Sequence, residues 1–393
     1  MAQHPIVEAK GHELLDHDLI LRGGRVLDPG TGRDKVADVA FQDGKVATVG
    51  EAARGRQERD VSGCIVMPGT IDFHTHVYWG GTSISIEADK LARRAGTTTW
   101  LDVGSAGPGN FAGFRKHVIE PSETRILAYL HVSHAGIFAF SHTVMLGESL
   151  DLRLMDTVNC ADVARAHPDL IRGIKVRVGA NTSGVNGIAP LYHALEAADR
   201  AGLPVMCHID RPPPRYTDVL ELLRPGDTLT HCYKPFPNAP VHADGRIKEA
   251  CWAARERGVM FDIGHGAGSF AFAVARPMLE GGFPPDVISS DVHVLCIDGP
   301  AFDNLETMSK FLCLGMDLPG IVRAVTATPA GLLGRPDLAD LSPGSTGDAT
   351  VLRIEDGRFT FTDVLGETME GRQRFALDSV VLGGKLWHEA DRA

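Results

Sequence analysis

Gly69-Thr70-Ile71-Asp72-Phe73-His74-Thr75-His76 is a short apolar run that ends in two histidines separated by one residue. Its β-branched and aromatic side chains predict a β-strand, in which alternate residues lie on the same face. His74 and His76 therefore share one face at the end of this strand. Two imidazoles so placed can chelate a metal ion, although the pattern alone is equally typical of two structural histidines.

This stretch opens a repeat that runs from residue 68 to residue 337. Short β-branched runs alternate there with amphipathic stretches of helical period, and the alternation recurs eight times. The predicted strands are 69–76, 97–103, 125–132, 172–178, 204–209, 227–232, 258–263 and 286–292. The predicted helices between them include 86–95, 191–201 and 247–257. Eight βα units predict an α/β fold, a (β/α)8 TIM barrel, whose usual size is about 250 residues.

Residues on both sides of this repeat have a different pattern, with short alternating β segments and turn pairs such as Gly23-Gly24 and Asp43-Gly44. The β segments are 18–22, 26–28, 37–41 and 46–49 before the repeat, and 349–353 and 379–384 after it. We expect the two groups to complete one another in a small β-sandwich domain built from both termini. The predicted domains are therefore a β-sandwich of residues 1–67 and 338–393 and a barrel of residues 68–337.

The composition is that of an ordinary globular protein, since 44% of the 393 residues are hydrophobic and 23% are charged. The 39 Lys and Arg residues against 50 Asp and Glu residues give a net charge of −11, which disfavours binding to nucleic acid. Seven scattered cysteines without a C-x-x-C pair fit a reducing compartment. We find no secretory signal in the sequence, and no apolar window approaches the length of a membrane span. We expect a cytoplasmic homo-oligomer that acts on a small-molecule substrate.

Further polar residues lie at the ends of other predicted strands. Lys175 lies in the fourth strand, where an unpaired ammonium group would be costly to bury. His208 and His231 end the fifth and sixth strands, and Asp291 ends the eighth. Each residue taken alone is more often structural than functional. Five strand ends that carry H-x-H, K, H, H and D in this order are difficult to obtain by accident, and barrel active sites are built at the carboxyl ends of the strands.

This order of residues resembles the amidohydrolase superfamily of metal-dependent hydrolases, in particular its dihydroorotase-like and D-aminoacylase-like branch. The resemblance spans the whole chain, since that family also joins a barrel to a small β-sandwich made from both termini. It implies two divalent metal ions, with a more buried ion held by His74, His76 and Asp291 and a more exposed ion held by His208 and His231. Lys175 is implied to carry a CO2-derived carbamate that bridges both ions. Nitrogen and oxygen ligands of this kind suit zinc, although Mn²⁺, Co²⁺ and Fe²⁺ accept similar sets.

Differences between this sequence and well-known members of the superfamily limit the expected substrates. Dihydroorotases carry an arginine two residues after the H-x-H pair, where this chain has Tyr78, and adenosine-deaminase-type members lack a lysine such as Lys175. Both activities are therefore disfavoured. Four segments, 80–82, 104–107, 264–270 and 289–291, resemble a narrower group that hydrolyses acetylated α-hydroxy acids such as acetyl-(R)-mandelate, with N-acetyl D-amino acids as a second substrate type.

The hypothesis is metal-dependent hydrolysis of an ester or amide bond in a small acylated carboxylate. A hydroxide that bridges the two ions would attack the carbonyl, and Asp291 would take its proton and return it to the leaving group. A cyclic-amide hydrolase of dihydroorotase or hydantoinase type shares every implied ligand and is the nearest alternative. A lactonase-like enzyme and a non-catalytic scaffold with the same fold are further alternatives.

Four further residues are candidates for substrate contact. Arg177 follows Lys175 by two positions and either binds a substrate carboxylate or forms a salt bridge inside the barrel. Tyr78 either lines the pocket or packs in the core. His265 lies in a glycine-rich loop that either binds a carboxylate or serves only as a turn. His131 either touches the substrate or caps the third strand.

Overall fold

A computed structural model describes residues 16–52 and 54–390 of the chain. The predicted β-sandwich segments lie in this part, except for residues 1–15, 53 and 391–393, which lie outside it. Five strands open the described part: β1 (Asp16–Asp28), β2 (Arg33–Gln42), β3 (Lys45–Gly50), β4 (Arg54–Asp60) and β5 (Ile65–Pro68).

The central strand of this group is β1. It pairs antiparallel with β2, and parallel with β4 along its first half and with β5 further on. Alternate residues of β1 and β2 point to one face, where Leu19, Leu21, Val39 and Phe41 are buried in a common apolar cluster. Ile20 and Ala40, which point to the other face, are buried too, so this part of the sheet is covered on both faces.

The next seven strands form a parallel sheet in which each strand pairs with the following one in sequence. They are β6 (Thr70–Thr75), β7 (Thr97–Val103), β8 (Arg125–His131), β9 (Ile171–Val178), β10 (Val205–Ile209), β11 (Thr228–Thr230) and β12 (Met260–Asp262). The helices that alternate with them are α1 (Ala88–Ala95), α2 (Phe111–Phe114), α3 (Thr157–Ala166), α4 (Ala189–Ala201), α5 (Tyr216–Leu222), α6 (Glu249–Glu256) and α7 (Phe272–Glu280). The first seven predicted strands are confirmed, and nearly all of their residues are buried, as expected of parallel strands covered on both faces.

The predicted helices are also confirmed, as α1, α4 and α6. α1 buries Leu91, Ala92 and Ala95 on one face and ends at Gly96, which adopts the left-handed conformation that glycine favours. Three more helices follow the barrel strands: α8 (Asn304–Cys313), α9 (Leu318–Val325) and α10 (Ala327–Leu332). None of the helices in the described ranges is long and apolar enough to cross a membrane.

The eighth predicted strand, 286–292, is wrong as a regular strand. The segment makes isolated parallel bridges instead, one between Val287 and Asp262 of β12 and one between Val292 and Thr75 of β6. The strand is interrupted at Asp291, whose φ of 47° lies outside the β region. The bridges still join the last strand position to the first, so the predicted (β/α)8 barrel is confirmed. We call residues 286–292 the closing segment.

Three C-terminal strands, β13 (Ala349–Thr362), β14 (Thr368–Leu382) and β15 (Lys385–Glu389), complete the small sheet. β13 pairs with β5, so the strand order is β15-β14-β13-β5-β1-β2-β3, with β4 beside β1. The predicted small β domain built from both termini is confirmed as this mixed sheet. Gly383 and Gly384, predicted at the end of a strand, form the turn between β14 and β15.

Asp348 forms hydrogen bonds that link the small sheet to the barrel. Its side chain is buried, and Oδ2 accepts a hydrogen bond of 2.8 Å from Arg125 Nη1 on β8. Oδ1 accepts a second bond of 2.8 Å from the backbone N–H of Gly383. A buried carboxylate paired in this way is costly to separate from its partners, so the two domains are held in direct contact.

Candidate metal centre

Six residues that the sequence predicts as metal ligands converge at the carboxyl ends of the barrel strands. They are His74 and His76 at the end of β6, Lys175 on β9, His208 on β10, His231 after β11 and Asp291 in the closing segment. Parallel strands bring their carboxyl ends to one rim, which is why residues far apart in the sequence meet here.

His74, His76 and Asp291 form the tightest group. Asp291 Oδ1 lies 3.3 Å from Nε2 of His74 and 3.3 Å from Nε2 of His76, and the three ligand atoms lie within 4.8 Å of one another. Among the described residues, no group donates a hydrogen bond to the buried Asp291 Oδ1. A buried carboxylate oxygen without a partner is costly, and a divalent cation between it and the two imidazoles would remove that cost. This group therefore fits a metal ion.

The second nitrogen of each imidazole in this group is held by the protein. His74 Nδ1 lies 2.7 Å from Thr230 Oγ1 and 3.2 Å from Asp262 Oδ2, and His76 Nδ1 lies 2.9 Å from Ser105 Oγ. Contacts of this kind orient a metal-binding imidazole. Nε2 of both rings is therefore left to face the shared site.

His208 and His231 form a second group. Nε2 of His231 lies 2.6 Å from Nδ1 of His208, and His231 Nδ1 lies 2.7 Å from the carbonyl oxygen of Gly264. Burial lowers the pKa of all four candidate histidines well below the usual value. The rings are therefore neutral at pH 7, which is the form that binds metal ions.

Lys175 lies beside His74 and is fully buried. Its Nζ is 3.4 Å from His74 Nε2 and 3.5 Å from Met206 Sδ, and within the described residues it donates no hydrogen bond to a carboxylate. Burial lowers the pKa of Lys175 to about 8. An amine in this position is neutral more often than a surface lysine, and the neutral amine is the form that can react with CO2.

The backbone is strained at two candidate ligands. His231 has a φ of 64° and Asp291 a φ of 47°, and they are two of the four non-glycine residues with positive φ in the described ranges. Such a conformation costs about 1–3 kcal/mol and persists only where the surroundings enforce it.

Burial also raises the pKa of Asp291 to about 6, a shift that a nearby divalent cation would oppose.

A cavity of about 360 Å³ lies over this centre, and its wall includes five of the six predicted ligands, all except His231. Its other polar lining residues include Arg177, Asn181, Asp210, Arg211, Lys234, Asn238, Ser269 and His293. Its apolar lining residues include Ile84, Phe140, Met145, Phe236, Val364 and Leu365. This volume is typical of a site for a small molecule.

Arg177 combines the two alternatives that the sequence leaves open, because it lines the cavity and also forms a buried salt bridge. Its Nε donates a hydrogen bond of 2.9 Å to Glu148 Oε1, and the Phe140 ring centre lies 5.0 Å from the guanidinium carbon. Within the described part of the chain, its two Nη atoms donate no hydrogen bond to the protein. Arg177 is therefore the candidate contact residue that can bind an anion in the cavity.

His131 is fully buried and does not line the cavity. Its Nε2 lies 3.2 Å from Glu148 Oε1, the atom that also accepts from Arg177. Burial alone would raise the pKa of Glu148, but the charge of Arg177 and the contact with His131 lower it to about 2. His131 thus supports the partner of Arg177 and is not placed to touch a substrate.

Tyr78 does not line the cavity either. Its ring stacks on Phe114 at 4.6 Å, and its hydroxyl donates a hydrogen bond of 3.2 Å to the carbonyl oxygen of Asn110. Tyr78 lies three residues beyond the end of β6 at Thr75, so strand alternation does not determine where its side chain points. The packing alternative for Tyr78 is the one that the structure supports.

His265 is buried behind the cavity and does not face it. Its ring stacks on Phe270 at 4.8 Å, and its Nε2 lies 2.9 Å from Nζ of Lys310. The loop that carries His265 still matters for the centre, because Gly264 holds His231 through its carbonyl oxygen. Of the two alternatives for the glycine-rich loop, the structure supports a turn, and His265 is not placed for substrate contact.

Several residues at the cavity were not identified from the sequence, among them Lys234, which lines it, and Glu148, which contacts the lining residue Arg177. Glu148 lies in the long connection between β8 and β9, and no motif there indicates that it pairs with Arg177. Lys234 lines the cavity, and its Nζ lies 3.4 Å from Ser269 Oγ. Burial lowers the pKa of Lys234 to about 8. The sequence does contain a signal for Lys234, because this residue follows His231 by three positions in a loop after a barrel strand.

No protein-family model matches the chain. A deacetylase of Agrobacterium fabrum is 35% identical over 347 residues, which are 87% of this chain and 84% of that protein. A crystal structure of an adenine deaminase has a TM-score of 0.88 at 29% identity and covers 95% of this chain and 100% of its own. A crystal structure of a dihydroorotase has a TM-score of 0.86 at 31% identity and covers 95% of this chain and 99% of its own. The three similar proteins carry three different activity names.

Gly266→Ala tests how closely the centre is packed. A Cβ at Gly266, where φ is 52°, would lie 2.3 Å from Asp291 Oδ2 and displace this carboxylate. We expect divalent metal to bind at least about 10-fold more weakly, as when a group that orients a ligand is lost. The measurement is the metal content after dialysis against a competing chelator.

Gly268→Ala is the matched control in the same loop, since a Cβ there meets no atom within 4 Å. It should retain metal as the unmodified protein does. Equal metal retention by both variants would show that the position of Asp291 does not control binding.

Proposed function

The chain belongs to the amidohydrolase superfamily of metal-dependent hydrolases, and we propose that it cleaves an acetyl ester or acetyl amide of a small carboxylic acid. Acetylated α-hydroxy acids of the acetyl-mandelate type and N-acetyl D-amino acids are the two substrate types. The observation that carries the proposal is the cavity in which the metal-binding residues and Arg177 lie together. The name of the Agrobacterium relative supports an acyl group as the part that is removed.

We propose that His74, His76 and Asp291 hold one divalent ion and that His208 and His231 hold another. Lys175, carboxylated by CO2, would be the anion shared by both, and this would replace a buried cation by a buried anion. Zinc suits these nitrogen and oxygen ligands. When bound, two such ions lower the pKa of water toward neutrality and polarise a carbonyl group.

Asp291 is the proposed proton carrier. In hydrolysis, the oxygen of water bonds to the acetyl carbon, and the bond from that carbon to the leaving oxygen or nitrogen breaks. Asp291 would accept the proton that water loses and donate it to the leaving atom, so that acetate and a hydroxy or amino acid are released. Its place at the cavity wall beside His74 and His76 supports this role.

Arg177 is the proposed binding residue for the substrate carboxylate. Glu148 occupies its Nε, which leaves the two Nη atoms for a carboxylate in the cavity. A guanidinium group binds carboxylates through two parallel hydrogen bonds, and burial strengthens such bonds. Lys234 and Arg211 add positive charge to the same cavity.

A cyclic-amide hydrolase is the second candidate, and the similar structure named a dihydroorotase is the observation that favours it. The test is a hydrolysis panel with metal-replete protein, containing (R)- and (S)-acetyl-mandelate, N-acetyl amino acids of both hands, dihydroorotate, hydantoins and lactones. We expect the acetylated carboxylates to have the highest kcat/KM. Preferential opening of the cyclic amides would favour the second candidate and contradict the first, and a metal content far below two ions per chain would contradict the proposed centre.

Asp291→Asn should abolish most turnover while the metal content is preserved. The amide can still contact a metal ion through its oxygen, but it cannot accept the proton, so kcat should fall by about 10²–10⁴-fold. The measurements are kcat for the best substrate of the panel and metal content on the same sample. Turnover close to that of the unmodified protein in a metal-replete variant would exclude the proposed role.

Arg177→Met combined with Glu148→Gln removes both charges of the buried pair and leaves neither unpaired. We expect kcat/KM for an acetylated carboxylate to fall by about 10–100-fold, because a charge-assisted hydrogen bond contributes about 1.5–3 kcal/mol. The neutral methyl ester of the same compound should react as before.

Arg172→Met is the control on the same strand, since Arg172 does not line the cavity. It should leave both rates unchanged. Equal losses for the carboxylate and its methyl ester in the double variant would mean that Arg177 supports the fold and does not bind the carboxylate.

A further inference from the structure

The turn between β13 and β14, residues 363–367, brings part of the small sheet to the barrel cavity. Val364 and Leu365 at this turn are lining residues of the cavity, together with residues from the barrel loops. We call residues 363–367 the β13–β14 turn. Both domains therefore contribute to the wall of one site.

Asp363 fixes the β13–β14 turn in place. Its buried carboxylate accepts a hydrogen bond of 2.9 Å from the backbone N–H of Phe272, the first residue of α7. The other carboxylate oxygen accepts from the backbone N–H groups of Leu365 and Glu367 at 2.8 Å and 2.9 Å. One side chain thus shapes the turn and attaches it to the barrel.

Two further contacts hold the turn against the barrel. The backbone N–H of Val364 donates a hydrogen bond of 3.2 Å to the carbonyl oxygen of Phe270. Glu367 and Arg276 of α7 form an ion pair of 2.6 Å, which is partly exposed and contributes little by itself. The buried hydrogen bonds of Asp363 and Val364 therefore do most to position the apolar side chains.

The outer wall of the cavity is apolar and exposed. Leu365 is 63% exposed, Met145 61% and Phe236 55%, and they come from three separate loops. A single exposed apolar side chain is ordinary, but apolar side chains from three loops around one mouth indicate a site for an apolar group. The floor below them carries the candidate ligands and Arg177.

We propose that the β13–β14 turn is a specificity-determining wall of the active site, in which Val364 and Leu365 contact the apolar substituent next to the substrate carboxylate. The proposal rests on the proposed function. The floor would bind the carboxylate and the acyl group, which every substrate of the class shares. The small sheet would then select among these substrates by the size of the substituent.

The test is ligand binding to the metal-replete protein, measured by calorimetry with acetate and phenylacetate as probes. In Leu365→Ala, the Kd of phenylacetate should rise by about 5–10-fold, since the variant loses contact equivalent to between one and two buried methylene groups. The Kd of acetate should stay the same. Val36→Ala is the matched control, because Val36 is 72% exposed on β2 of the same sheet and is not part of the cavity.

The kinetic counterpart is the ratio of kcat/KM for acetyl-mandelate to that for acetyl-lactate, which should fall in Leu365→Ala. The proposal is overturned if phenylacetate binds no better than acetate to the unmodified protein. It is also overturned if Leu365→Ala and the double variant Val364→Ala/Leu365→Ala bind phenylacetate as the control does. Binding that changes as expected, in a protein that hydrolyses no member of the panel, would contradict the proposed function alone.

Discussion

The hydrogen bond of 2.8 Å from the backbone N–H of Asp291 to the carbonyl oxygen of His74 closes the barrel and assembles its centre. β6 is the first strand of the barrel and the closing segment occupies the last position, so the two ends of the repeat meet at this bond. The same contact brings the carboxylate of Asp291 beside the imidazoles of His74 and His76. Without this bond, Nε2 of the two histidines would have no carboxylate beside it.

Burial controls the charge of the six candidate metal ligands. The four imidazoles are neutral because a charged ring would lose its hydration, and the same effect opposes both a charged Lys175 and a charged Asp291. A barrel interior that contains these polar groups contributes less to the stability of the fold than an apolar interior would, since apolar side chains would fill it at a lower cost in free energy. Polar residues that break the apolar pattern of a core are expected at functional sites, where bound ions and substrate compensate for the cost.

The strands and the loops contribute differently to the site. Five of the six candidate ligands lie on strands or directly after them, where the backbone is rigid and the spacing between side chains is defined, and Asp291 lies in the closing segment. Arg177 also lies on a strand, but its partner Glu148 and the aromatic ring of Phe140 come from the long connection after β8. The outer wall is built from loops and from the β13–β14 turn, which can change without disturbing the centre.

The repeat of strands and helices, the small domain of both termini and the six polar residues at strand ends can be predicted from the sequence alone, because strand alternation and helical period are local properties. The sequence could not determine which residues beyond the strands reach the cavity. Tyr78 and His265 follow strand ends and pack away from it, whereas Glu148, Lys234 and the β13–β14 turn reach it or its lining residues. These positions depend on tertiary contacts, because the path of a loop is set by contacts with distant segments, such as the hydrogen bond between Asp363 and Phe272.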